Sequence, residues 1–125
     1  MILDTNALSA FADGDPALHP EVSRGSQLCI PVIVLGEFRY GIAASRYRAG
    51  YLRWLERFVG TGRVLEVTDR TTHNYATIRL ELRRAGKPIP TNDTWIAALC
   101  RQHGLPLLSR DRHFDAVPGI DRIEW

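Results

Sequence analysis

Lysine is nearly missing from this chain: Lys87 is the only one, and arginine supplies the rest of the 16 basic residues. The bias has two readings, a GC-rich coding sequence or a surface that grips phosphates through planar, bidentate guanidinium groups. Cysteine is scarce as well. Cys29 and Cys100 both fall within apolar patterns, which reads as two buried free thiols in a reducing compartment and not as a disulfide or metal pair. No apolar run approaches the roughly eighteen residues that span a bilayer, and the N-terminus lacks a basic-then-apolar leader. A soluble cytoplasmic protein without membrane contact is expected. Two catalytic signatures are also absent. His73, His103 and His113 lack the His-Glu-x-x-His spacing of a zinc site and His19 stands alone,, while no Gly-x-Ser-x-Gly elbow announces a serine hydrolase.

What is present suits a globular protein. The 125 residues are 45% hydrophobic and 24% charged, enough for one domain over residues 1–125 with a real core. The formal net charge of +2 does not by itself announce a nucleic-acid binder. No repeat, linker or low-complexity segment interrupts the chain.

Short apolar runs alternate with helical patterns. Met1-Ile2-Leu3, Leu28-Cys29-Ile30, residues 63–67, Leu105-Pro106-Leu107-Leu108 and residues 121–124 read as strands,. Helices are predicted over 6–12 and 17–24 (the latter interrupted by Pro20), from Val32 with Leu35, Phe38 and Ile42 on one face, and over 45–59. A further helix is capped by Thr68 or Asp69 and buries Tyr75, Ile78, Leu82 and Ala85 before Gly86 stops it. The last, capped by Thr91 or Asn92, buries Trp95, Ile96, Leu99, Cys100 and His103 and ends at Gly104,. Gly36 and Gly41 weaken their helix and suggest close packing or backbone access. Strands alternating with helices predict an α/β fold, a parallel sheet covered by helices on both faces.

Such a sheet carries its ligand crevice at the C-terminal ends of its strands. Asp4 and Asp111 each follow a predicted strand, Asp93 opens a helix on that edge, and Glu37 sits in a largely apolar helix, where an unpaired carboxylate is costly if buried,. Singly, each has an ordinary explanation: a cap for Asp4, a first-turn charge for Asp93, a turn for Asp111. Together they read as a carboxylate cage for a hard divalent cation, Mg²⁺ or Mn²⁺, which can activate a water and stabilise charge on a phosphodiester.

The segments Ile2-Leu3-Asp4-Thr5-Asn6, Leu35-Gly36-Glu37-Phe38-Arg39-Tyr40-Gly41, Asp93-Thr94-Trp95-Ile96-Ala97-Ala98 and Leu108-Ser109-Arg110-Asp111-Arg112-His113-Phe114 carry a family likeness. In this order the chain resembles the PIN-domain ribonucleases, particularly the VapC toxins of bacterial toxin–antitoxin pairs, over essentially its whole length. The resemblance implies a parallel sheet of about five strands. It implies that Asp4, Glu37, Asp93 and Asp111 bind Mg²⁺ or Mn²⁺, that Thr5 or Asn6 supports the first carboxylate, and that Asp115 is an outer acidic member or a solvated loop charge. It further implies metal-dependent hydrolysis of RNA, a cognate antitoxin partner and a homodimer. Tyr40, Tyr47, Tyr51 and Trp54, set among arginines, are expected at the interface. Arg39, Arg79, Arg83, Arg84, Arg110 and Arg112 are candidates to grip RNA phosphates. Two alternatives remain. One is a non-catalytic module whose acidic groove clamps a partner's arginine. The other is a haloacid-dehalogenase-like phosphohydrolase, which wants a second aspartate where this chain has Asn6 and a later lysine, where the only candidate, Lys87, precedes the third motif.

Overall fold

In the computed structural model, which describes residues 1–22 and 27–125, the apolar runs pair into one parallel sheet. Its strands are β1 (Ile2–Leu3), β2 (Cys29–Pro31), β3 (Arg63–Leu65), β4 (Leu107–Leu108) and β5 (Arg122–Ile123), in the order β3-β2-β1-β4-β5. Ile2 pairs with Cys29 on one side and Leu107 on the other, and Leu3 with Leu108. β1, β2 and β4 are buried at every position, which is why they read as unbroken apolar runs and do not alternate. The chain leaves β1 towards β2 and β3, then returns to lay β4 on the opposite side. The strand order therefore reverses between β1 and β4, and a crevice opens at such a point.

The helices are α1 (Thr5–Ala12), α2 (His19–Val22), α3 (Val32–Ile42), α4 (Arg48–Thr61), α5 (Asp69–Arg84) and α6 (Thr91–His103), with 3-10 turns at Pro16–Leu18 and Arg112–Ala116. Helix α6 packs closely against α5 and buries Thr94 and every residue from Ile96 to Cys100. Ile96 and Leu99 are fully enclosed, each contributing about 1.5–3 kcal/mol by leaving water. Gly104 then takes φ 62° as the helix ends, a left-handed conformation that side chains with a Cβ resist. Arg101 ties α6 outward by donating to Glu81 of α5 at 3.0 Å and to the Pro118 carbonyl.

Several local expectations shift. Neither Thr91 nor Asn92 caps α6; the helix begins at Thr91 behind Pro90, and the Thr94 hydroxyl donates to the Pro90 carbonyl. Helix α5 is capped at Thr68, with Thr71 bonding back to the Thr68 amide at 3.0 Å. Pro20 does not break its helix, because it falls in the first turn of α2, where no N–H is needed,. The end of the predicted 17–24 segment lies outside the described residues. Ala85 is exposed at the C-terminus of α5. Helix α4 starts three residues later than expected and runs through Gly60. Gly36 and Gly41 face open space, so neither serves close packing. Tyr51 and Trp54 are half-buried against Phe38, at 6.1 and 6.0 Å between ring centroids, which leaves Tyr40 and Tyr47 exposed at 86% and 59%. Both thiols are free and buried, and burial pushes the Cys100 thiol up to about 12. Among the described residues no helix is long and apolar enough to cross a membrane.

Candidate active site

Asp4 leaves β1 in an extended conformation and caps α1, its Oδ1 accepting the Ala7 amide at 2.7 Å. Its Oδ2 accepts the hydroxyl of Ser109, the residue after β4. The cap and the acidic site are thus one arrangement. Only 3% of Asp4 is exposed. Burial raises its pKa, the Ser109 and Ala7 hydrogen bonds work against that rise, and the charges of Asp111 and Glu37 add to it,.

Glu37 reaches the same edge from the second turn of α3. The Thr5 hydroxyl donates to its Oε2 and the Asn92 amide to its Oε1 at 2.7 Å. Thr5 therefore supports Glu37 and not Asp4, because Asp4 turns inward to cap its own helix. Asn6 stands exposed on the rim.

Asp93, in the first turn of α6, and Asp111, the cap of the 3-10 turn at Arg112–Ala116, close the ring. Between them lies His113. Its Nδ1 is 2.8 Å from Asp111 Oδ1 and its Nε2 is 2.9 Å from Asp93 Oδ2. The Asp93 pKa is raised, first by burial, with His113 pulling it down and the charges of Glu37, Asp111 and Asp4 pushing it up. Asp4, Thr5, Asn6, Glu37, Asp93, Asp111 and Phe114 line a cleft of about 290 Å³ that no arginine or lysine lines among the described residues. The four predicted carboxylates come together. Their donors are oxygens with lone pairs to spare, and four carboxylates beside a single histidine suit a hard divalent cation,. Lys87 does not line the cleft, so the phosphohydrolase pattern has no lysine there.

Sequence reasoning missed Ser109, Asn92 and His113. Ser109 carries one signal in the sequence, a hydroxyl residue directly after an apolar run, and the structure buries it fully.

The PIN-domain profile matches residues 1–120. Ribonuclease VapC5 of Mycobacterium tuberculosis is 32% identical over 98% of this chain and 91% of its own length. The chain belongs to the PIN-domain family, among the VapC ribonucleases. The tRNA(fMet)-specific endonuclease VapC of Shigella flexneri is 31% identical over 99% of this chain and 96% of its own. The crystal structure of DNA-bound VapBC from Salmonella typhimurium superposes with a TM-score of 0.88, at 30% identity, over 99% of this chain and 96% of that one.

The outer charges of this PIN domain differ in what they already hold, and Arg79 donates to the Tyr75 hydroxyl at 2.6 Å. Asp115 is not part of the cleft: Arg122 holds both its oxygens, at 2.7 and 3.0 Å, and keeps its carboxyl below the usual range. Arg110 lies over the Trp125 ring, 3.5 Å from its centroid, and donates to Asp15 at 3.3 Å. Arg112 stands 3.6 Å from Glu124. These two are partly neutralised within the chain, which weakens them as phosphate grips. Arg39 lies beside Leu52 and Glu56 of α4, away from the carboxylates. Arg79 and Arg83 flank a separate hollow with Pro88, Ile89, Thr91 and Thr94, next to the start of α6. Arg84 is exposed in the last turn of α5.

Proposed function

We propose that this PIN domain is the toxin of a bacterial toxin–antitoxin pair, a metal-dependent endoribonuclease that hydrolyses RNA phosphodiester bonds. The observation that carries the reading is the convergence of Asp4, Glu37, Asp93 and Asp111, from four separate elements, on a cleft that no arginine or lysine lines among the described residues. These residues would hold Mg²⁺ or Mn²⁺, which when bound activates the attacking water and offsets charge on the phosphodiester. The protein's own part is orientation. The Ala7 amide and Ser109 hydroxyl fix the Asp4 carboxylate, and Thr5 and Asn92 fix Glu37.

RNA is gripped outside the cleft, by Arg79, Arg83 and Arg84 on the α5 side, through backbone phosphates,. The partner is a cognate antitoxin, as in the VapBC complex of Salmonella typhimurium. An arginine of that partner suits the acidic cleft, so the arginine-clamping reading describes the inhibited state of the same site. The working form is a cytoplasmic homodimer formed across the face carrying Tyr40 and Tyr47,.

Asp93→Asn removes ligand charge with little change of volume, and RNA cleavage, read by sequencing new 5′ ends, is expected to fall by orders of magnitude with the fold retained. Full cleavage by this variant, or by the unaltered protein in excess EDTA, refutes the proposal.

A further inference from the structure

We propose that His113 is a nitrogen ligand of the divalent ion, so that this cleft prefers Mn²⁺, Co²⁺ or Ni²⁺ to Mg²⁺. The inference rests on the reading of the cleft as a cation site and adds a donor that the carboxylate motif does not contain. One ligand atom from each of Asp93, Asp111 and His113 lies within 4.8 Å of the other two.

The orientation of the ring supports this role. Nδ1 lies 2.8 Å from Asp111 Oδ1, and the ring packs on Phe114 with centroids 4.6 Å apart. A metal-bound imidazole typically ligates through one nitrogen while the other donates to a carboxylate that fixes its tautomer. Asp111 Oδ1 stands at that second place, which leaves His113 Nε2, beside Asp93 Oδ2, to face the ion.

Nε2 itself is buried and lacks an aligned hydrogen-bond partner. Its neighbour Asp93 Oδ2 is at 2.9 Å, close enough for an ion pair yet off the line of an N–H. The spacing has another meaning. Two adjacent ligands of an octahedral ion with bonds of about 2.1 Å stand roughly 3.0 Å apart. The two atoms are therefore spaced as neighbouring corners of a coordination shell. Imidazole favours the later first-row ions over Mg²⁺, which takes oxygen and water.

The test is pulsed EPR of the full chain loaded with Mn²⁺, with metal affinities measured by calorimetry. A ¹⁴N coupling is expected, replaced by a ¹⁵N signal when histidine alone is labelled and lost in His113→Gln. In that variant Co²⁺ affinity is expected to fall about tenfold or more while Mg²⁺ affinity changes much less. The labelled unaltered protein provides a readout that does not depend on the variant's folding. Mn²⁺ bound without any histidine nitrogen coupling, a coupling that survives His113→Gln, or equal losses for Co²⁺ and Mg²⁺ overturns the role of His113 while leaving metal-dependent RNA cleavage standing. Failure of the protein to bind any divalent ion overturns both readings.

Discussion

Replacing Ser109 by alanine tests how the cleft is held together. The Ser109 side chain is fully buried. It donates to Asp4 Oδ2 and accepts the Asp111 amide at 3.0 Å, so one hydroxyl braces two carboxylate-bearing residues. A hydrogen bond to a charged acceptor is worth about 1.5–3 kcal/mol. The Asp111 amide is only partly buried, and water can replace its lost acceptor. Ser109→Ala is therefore expected to cost roughly 2–3 kcal/mol, a fall in Tm on the order of 10 °C for a chain of this length. The pH dependence has a definite sign. Burial already raises the folded Asp4 pKa above 3.8, and the Ser109 bond opposes that rise. Without the hydroxyl the folded pKa climbs further. The deficit is thus small in acid, where Asp4 is protonated folded and unfolded alike, and grows as pH rises through the folded pKa. Urea denaturation of the metal-free protein from acid to neutral pH measures it. A loss below about 0.5 kcal/mol at neutral pH, or one that ignores pH, would show the reasoning to be wrong.

Asp115→Asn is expected to leave RNA cleavage unchanged, since Arg122 occupies that carboxylate away from the cleft; a loss comparable to that of Asp93→Asn would return Asp115 to the site. Gly36→Ala adds a methyl group that meets nothing within 4 Å on a helix surface, so a stabilisation of up to about 1 kcal/mol is expected; a lower melting temperature contradicts it. Light scattering at micromolar concentration is expected to report a dimer that Tyr40→Glu dissociates, and a monomeric parent protein disproves the interface.

The sheet was legible because strands buried on both faces leave continuous apolar runs, as at Ile2-Leu3 and Leu107-Leu108. Asp4 and Asp111 were legible for a related reason: each follows such a run, and strand ends meet at the crevice. Local chemistry misled at Thr91 and Asn92. Both are good capping residues, but the helix had already begun behind Pro90, and Asn92 was free to bond Glu37. Tyr51 and Trp54 carry no mark that separates an interface aromatic from one packed on Phe38. Ser109 and His113 escaped because a decisive partner of each, Asp4 and Asp93, is set by tertiary approach. The bond from Ser109 to Asp4 spans 105 positions, and no window of sequence contains both ends.

That span also sets a time. Asp4 is made well before its partners, and its carboxylate has neither Ser109 nor Asp111 beside it until the residues after β4 are made. At about 5–20 residues per second the interval is roughly 5–20 s. Until Asp93 follows, the nascent chain carries at most the part of the cleft that Asp4, Thr5 and Glu37 supply. The acidic cleft is thus complete only once Ser109 and Asp111 have joined Asp4.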